Sequence, residues 1–187
     1  MKIPPVLTAL FALTVTVACT GLVTIASAEE LDGEEKPELL GLLTRQEIEA
    51  AVPDWVEQEI NSTPDLELAA ELISALRDAE ITVFMGTWCS DSKRELSRLW
   101  RAFDDLGIAE SSAVSYIGVD RCKEEPRELV DGVDLQYVPT FIVRRDGREL
   151  GRVVEESPVS IEADLLAILK AEKSGLVTAK PELLEDR

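Results

Sequence analysis

The chain has 187 residues, 45% hydrophobic and 30% charged, a balance that suits one ordinary folded domain and excludes a disordered or polytopic membrane protein. Its 37 acidic residues against 19 basic ones give a formal charge of −18, which argues against nucleic acid or an anionic membrane surface as partner. There is no histidine, so Cys-His and Ser-His catalysis are excluded and the commonest zinc and copper ligand is missing.

Residues 1–28 read as a secretory signal peptide. Lys2 supplies the positive start, an apolar run follows from Val6 to Ile25, and Ala26-Ser27-Ala28 has the small-x-small form of a cleavage site before Glu29-Glu30. Two other readings stay open. Residues 3–28 are just long enough to cross a bilayer as an uncleaved anchor. Val17-Ala18-Cys19 resembles a lipoprotein signal, although Thr16 stands where a larger aliphatic residue is expected. The expected location is therefore exported, in a bacterial periplasm, with membrane anchoring through residues 3–28 as the alternative. Cleavage would remove Cys19 and leave Cys89 and Cys122. In an oxidising compartment these form either a disulfide or two separate thiols.

Residues 29–43 begin with an acidic stretch containing Gly33 and Pro37 and read as a linker. Residues 44–79 read as a helical segment. Thr44-Arg45-Gln46-Glu47 has the form of a capping box, and after Pro64 a helix carries Leu66, Ala69, Leu72, Ile73 and Leu76 on one face. These helices carry no chemical signature and read as packing elements, with partner binding as the other reading.

Residues 80–172 alternate strand and helix. Ile81–Met85 is a short apolar strand, and the helix after Cys89 turns Leu96, Leu99, Trp100, Phe103 and Leu106 inward. Val114–Val119 is a second strand and Glu125–Val130 a short helix. Thr140–Arg144 and Glu149–Val154 are joined at Asp146-Gly147, a strong two-residue hairpin signal. A last helix starts near Ser157-Pro158 and buries Ile161, Leu165, Ile168 and Leu169. The order β-α-β-α-β-β-α predicts an α/β fold with a parallel pair followed by an antiparallel hairpin. Residues 173–187 read as a tail.

The chemistry concentrates at Trp88-Cys89-Ser90-Asp91-Ser92. Cys89 falls where the first strand ends and a helix begins, facing unpaired backbone N–H groups and the positive end of the helix dipole, both of which favour thiolate over thiol. Ser92 shares its helical face and is placed to donate a hydrogen bond to the sulfur. Lys93 and Arg94 add positive charge and Asp91 opposes them. The alternative for Cys89 is a buried structural thiol. No phosphate-binding glycine loop is present, and Ser90, Ser92 and Ser174-Gly175 form no hydrolase motif.

Trp88-Cys89-x-x-Ser92 after a strand, then Val119-Asp120, then Val138-Pro139-Thr140, then Asp146-Gly147, together resemble the thioredoxin family over residues 80–170. The resemblance implies a thioredoxin-like fold: a central mixed sheet flanked by helices, here with extra N-terminal helices. It places Cys89 as the attacking cysteine and Pro139 as a cis-proline beside it. Val138, Pro139 and Thr140 would then form the substrate-binding loop, where the backbone of residue 138 pairs with an extended peptide. Trp88 would shield the sulfur, and Asp120 would hold its indole N–H. No cofactor or metal is implied.

Three departures shape the expected activity. Ser92 replaces the second cysteine, so the site cannot resolve its own mixed disulfide locally. The family's buried acid falls on Val83, and its partner lysine falls near Tyr116. The expectation is a thiol–disulfide exchanger of isomerase or monothiol type rather than an efficient dithiol reductase, acting on protein or small-molecule disulfides and thiols. Cys122 stands at the same sheet edge, either as a displaced resolving cysteine or as a solitary surface thiol. A disulfide would need the two Cα atoms within about 7 Å. The rival from another class is a redox-inactive binding module that keeps the cis-proline groove for peptides. A peroxidase is disfavoured by the absence of a threonine-rich cysteine loop, and a copper chaperone by the absence of histidine and of a C-x-x-C pair.

Overall fold

The order of the elements follows from the alternation of apolar runs. In the computed structural model, which describes residues 37–108 and 112–185, six strands form one mixed sheet in the order β1-β3-β2-β4-β5-β6. The strands are β1 (Gly41–Leu43), β2 (Glu80–Met85), β3 (Val114–Gly118), β4 (Thr140–Arg145), β5 (Arg148–Val154) and β6 (Gly175–Val177). The helices are α1 (Arg45–Ala51), α2 (Asp54–Ile60), α3 (Leu66–Ala75), α4 (Ser90–Asp105), α5 (Arg127–Val130), α6 (Ile161–Leu169) and α7 (Glu182–Glu185), with one 3₁₀ turn at Leu76–Asp78. The signal-peptide, anchor and lipoprotein readings lie outside the described residues. Among the described residues, no helix is long and apolar enough to cross a membrane.

The expected parallel pair and hairpin both form. β2 runs parallel to β3, with Val83 opposite Tyr116, and antiparallel to β4, with Val83 opposite Phe141. Residues Asp146 and Gly147, at φ 52° and 73°, make the left-handed two-residue turn between β4 and β5. Successive strand side chains point to opposite faces. Ile81, Val83 and Met85 of β2 enter the main core, whereas Phe84 enters a smaller second cluster.

The main core shows what the N-terminal helices do. Ile48 of α1, Trp55 of α2 and Leu72 of α3 pack with Leu96, Leu99, Trp100 and Phe103 of α4 and with Ile161 and Leu165 of α6. The capping box at Thr44 is complete: Glu47 N–H reaches the Thr44 hydroxyl, and the Glu47 carboxylate accepts from Thr44 N–H at 2.8 Å. Of the inner-face residues expected on α3, Ala69, Leu72 and the following Leu76 are buried, but Leu66 is exposed. Leu106 caps the end of α4 and is only half-buried.

Four elements escape the sequence reading. Gly41–Leu43, assigned to the linker, pair antiparallel with β3, and Gly175–Val177, assigned to the tail, pair parallel with β5. Both strands have only three residues, too few for alternation to register. Helix α2, seven residues long, starts directly after Pro53, and α7 follows Pro181.

Candidate functional site

Cys89 is the N-cap of α4. Its backbone is extended (φ −91°, ψ 125°), and its Sγ accepts from Ser92 N–H at 3.4 Å, the part that a Ser, Thr or Asp oxygen usually plays at a helix start. The half-buried thiol donates in turn to the Val138 carbonyl at 3.2 Å. The sulfur thus joins the first turn of α4 to the loop leading into β4. The Val138–Pro139 bond is cis, as is Glu125–Pro126.

That loop is held from two further directions. Pro139 carbonyl accepts from Glu155 N–H at 2.8 Å, and the Thr140 hydroxyl donates to the Tyr137 carbonyl at 2.7 Å. Val138 and Thr140 are themselves buried, so their side chains fix the loop while the backbone faces the sulfur. Cys89, Trp88, Val138, Pro139 and Ser92 are therefore brought together, as the sequence motif suggests.

The roles within the group differ from expectation at two points. Ser92 is fully buried beneath Cys89, and its hydroxyl accepts from Gly86 N–H at 3.3 Å; the hydrogen bond to sulfur comes from the Ser92 backbone. The Trp88 indole N–H donates to the Val119 carbonyl at 3.3 Å, not to Asp120. Asp120 is turned into its own loop, accepting from the N–H groups of Cys122, Glu124 and Glu125 at 3.1, 2.8 and 2.9 Å. Burial pushes the Asp120 carboxyl up, but these bonds outweigh it and hold it below the usual carboxylate range.

Trp88 lies flat against its own turn. A Cβ at Gly86 would stand 2.5 Å from Trp88 Cε2, so glycine is required there for the indole to close over the backbone. The Arg121 guanidinium covers the ring at 5.1 Å and pairs with Glu38 at 3.0 Å. Cys122 is exposed on the loop after β3, and both it and Cys89 are free thiols.

The charges around Cys89 are paired. Lys93 binds Asp54 at 2.9 Å and Arg94 binds Asp91 at 2.7 Å, so neither is a bare cation beside the sulfur. Burial pushes Asp91 up, but Lys180 and Arg94 together hold its carboxyl below the usual range. Val83 is buried opposite Tyr116, whose hydroxyl accepts from Trp100 Nε1 at 3.0 Å, so an uncharged pair stands where the family resemblance would put an acid and a lysine.

Sequence reasoning missed Thr87, Glu155 and Lys180. The buried Thr87 hydroxyl donates to Pro37 carbonyl and accepts from Leu39 N–H at 3.3 Å, docking the segment before β1 beside the cysteine loop. Lys180 Nζ pairs with both Asp91, at 2.9 Å, and Glu155, at 3.1 Å. No short-range motif marks any of the three; each depends on contacts between residues far apart in the chain. Among the described residues, no cluster of acids and cysteines could hold a metal ion.

No family model matches the chain, and no curated protein does. Similar solved structures include an HIV epitope scaffold, 18% identical, with a TM-score of 0.47, covering 67% of this chain and 86% of that one. Another is a protein of unknown function from Pseudomonas aeruginosa, 19% identical, with a TM-score of 0.46, covering 68% of this chain and 86% of that one. Both scores are too low to assign a fold family. The chain is a mixed α/β protein whose six-stranded sheet is flanked by helices.

Proposed function

We propose that this is an exported thioredoxin-like protein that performs thiol–disulfide exchange of the isomerase or monothiol kind, with Cys89 as nucleophile. The observation that carries the reading is the position of the Cys89 sulfur, between the Ser92 N–H at the start of α4 and the Val138 carbonyl of the cis-proline loop. Helix-start N–H groups stabilise a thiolate, and a backbone carbonyl beside the sulfur is a place for an extended chain to pair.

The step conserves electrons. The Cys89 thiolate, having given its proton to solvent, attacks one sulfur of a substrate disulfide. The S–S bond of the substrate breaks, a Cys89–substrate disulfide forms, and the other substrate sulfur leaves as a thiolate that takes up a proton. A second thiolate, from the substrate or from outside, then attacks the substrate sulfur of the mixed disulfide, which forms a new disulfide and releases Cys89 as a thiolate. Attack by Cys122 on the Cys89 sulfur would instead release the substrate thiol and leave a Cys89–Cys122 disulfide for an outside thiol to reduce. With Ser92 in place of a second cysteine, no thiol of the motif itself resolves the mixed disulfide, which favours reshuffling over net reduction.

The test is recovery of activity from a scrambled, disulfide-bonded ribonuclease in a thiol buffer. The wild-type chain should accelerate it and Cys89→Ser should not. Equal rates for the two would leave a peptide-binding module as the better reading.

A further inference from the structure

We infer that the C-terminal segment, residues 178–185, is a strap that closes one side of the Cys89 site and selects small or end-on disulfides over disulfides carried within extended peptides. The inference rests on the proposed exchange activity and names the substrate class of that same site.

The segment follows β6, which adds to the edge of β5, and returns across the site end of the sheet. Ala179 N–H donates to Glu156 carbonyl at 2.8 Å, fixing the segment to the loop after β5. Lys180 then bridges two elements of the site. One partner, Asp91, stands two residues after Cys89 on α4; the other, Glu155, is the residue whose N–H holds the Pro139 carbonyl. The Lys180 ammonium, itself about a quarter exposed, is shared at 2.9 and 3.1 Å, and it ties together the cysteine helix and the loop that supports Pro139.

The strap has a second anchor. Leu183 is buried and lines a cleft with Tyr137, Thr140, Arg152, Val154 and Leu176. Tyr137 and Thr140 flank Val138-Pro139. The segment therefore binds the nucleophile's helix through Lys180 and, through Leu183, shares a cleft with the residues that flank the cis-proline. On this inference, a chain laid along Val138 that extends toward Glu155 or Asp91 meets this segment. A small disulfide approaching Cys89 from the exposed side of Ser90 need not.

A strap that is closed most of the time lowers the apparent reactivity toward any substrate that needs it open, in proportion to the open fraction. It leaves other substrates untouched. Exchange rates are compared for two probes with one leaving group: N-acetylcysteine amide and an extended peptide with a central cysteine, each activated as a 2-thiopyridyl disulfide. Attack by Cys89 forms the mixed disulfide and releases thiopyridone, which is followed by absorbance. The chain carries Cys19→Ser and Cys122→Ser, so that Cys89 is its one thiol.

Deleting residues 178–187 should raise the peptide rate by about tenfold while the small-probe rate stays within about twofold. Lys180→Gln, which keeps the segment and loosens only its ion pairs, should move the ratio in the same direction by a smaller factor, and covers the case in which the deletion unfolds the chain. An unchanged ratio in Lys180→Gln and in a folded deletion variant overturns the strap. Equal acceleration of both probes overturns it as a selector and leaves a general shield. Failure of the exchange reading shows separately, as a Cys89 no faster than free N-acetylcysteine amide toward the small probe in every variant.

Discussion

The Cys89 thiol donates to the Val138 carbonyl at 3.2 Å across a sequence separation of 49 residues. That carbonyl keeps a second lone pair, so it can hold the thiol and still accept from another N–H. The bond fixes the sulfur between the start of α4 and the loop that leads into β4.

Restoring the missing second cysteine tests the local geometry. Ser92 sits one helical turn after Cys89, buried directly beneath it, with its N–H 3.4 Å from the sulfur. Residues three apart on a helix have Cβ atoms about 5–6 Å apart, within reach of a disulfide after a small shift. Ser92→Cys should therefore form a disulfide with Cys89 on oxidation and convert the protein into a dithiol reductase. Intact mass and thiol counting of the oxidised variant decide it; two persistent free thiols at these positions would mean that the helix start does not bring them together.

Gly86→Ala drives a methyl group into the Trp88 indole, 2.5 Å away. The rigid ring must move off Val119 and out from under Arg121. We expect a loss of about 1–3 kcal/mol in unfolding free energy and a shift of tryptophan emission toward that of exposed indole. Unchanged emission would place the indole elsewhere.

Glu162 is fully buried and accepts from Arg98 at 2.6 Å and from Asp65 N–H at 2.8 Å, clamping α3, α4 and α6 together. Burial pushes its carboxyl up, but Arg98 and the backbone bonds outweigh that and hold it below the usual range. Glu162→Ala leaves both donors without this acceptor and should cost about 2–4 kcal/mol in urea unfolding. Glu162→Gln, which keeps an oxygen acceptor, should cost less.

Glu59 makes stability depend on pH. It lies beside Arg45 at 2.8 Å and Asp104, and burial, reinforced by a shared hydrogen bond with Asp104 and opposed by Arg45, raises its carboxyl from 4.5 to about 7. The folded state then binds a proton that the unfolded chain releases between 4.5 and about 7. This contribution is full below 4.5 and is lost as the pH rises through about 7. Asp104, held low chiefly by its hydrogen bond to Arg45, acts in the opposite sense at more acidic pH, where its contribution is lost as the pH falls. The urea midpoint should drop between about pH 5 and about pH 8, and Glu59→Gln should flatten that slope.

What the sequence revealed was what is local or repeated. The capping box at Thr44, the Asp146-Gly147 turn and the inward face of α4 from Leu96 to Phe103 each need only a few neighbouring residues, and each forms as expected. The approach of Cys89 to the Val138-Pro139 loop was expected only from the family resemblance that the two short motifs carry, and the thiol does reach the Val138 carbonyl. The partner of Trp88 was not, since the indole N–H reaches a backbone carbonyl, which any residue at 119 would supply. Lys180 was invisible for the opposite reason: it is one surface-type lysine near the C-terminus, and only the pairing of β6 with β5 carries it to Asp91.

The most direct measurement is a competition between the two thiols of one molecule. The chain with Cys19→Ser is exposed briefly to substoichiometric glutathione disulfide, and the modified cysteine is identified by peptide mass. Cys122 is exposed and Cys89 half-buried, so accessibility alone favours Cys122. A nucleophile activated at the start of α4 predicts modification first at Cys89, faster than a free cysteine at the same pH. Modification first at Cys122, with Cys89 inert until the chain is unfolded, would contradict the central claim and make Cys89 a structural thiol.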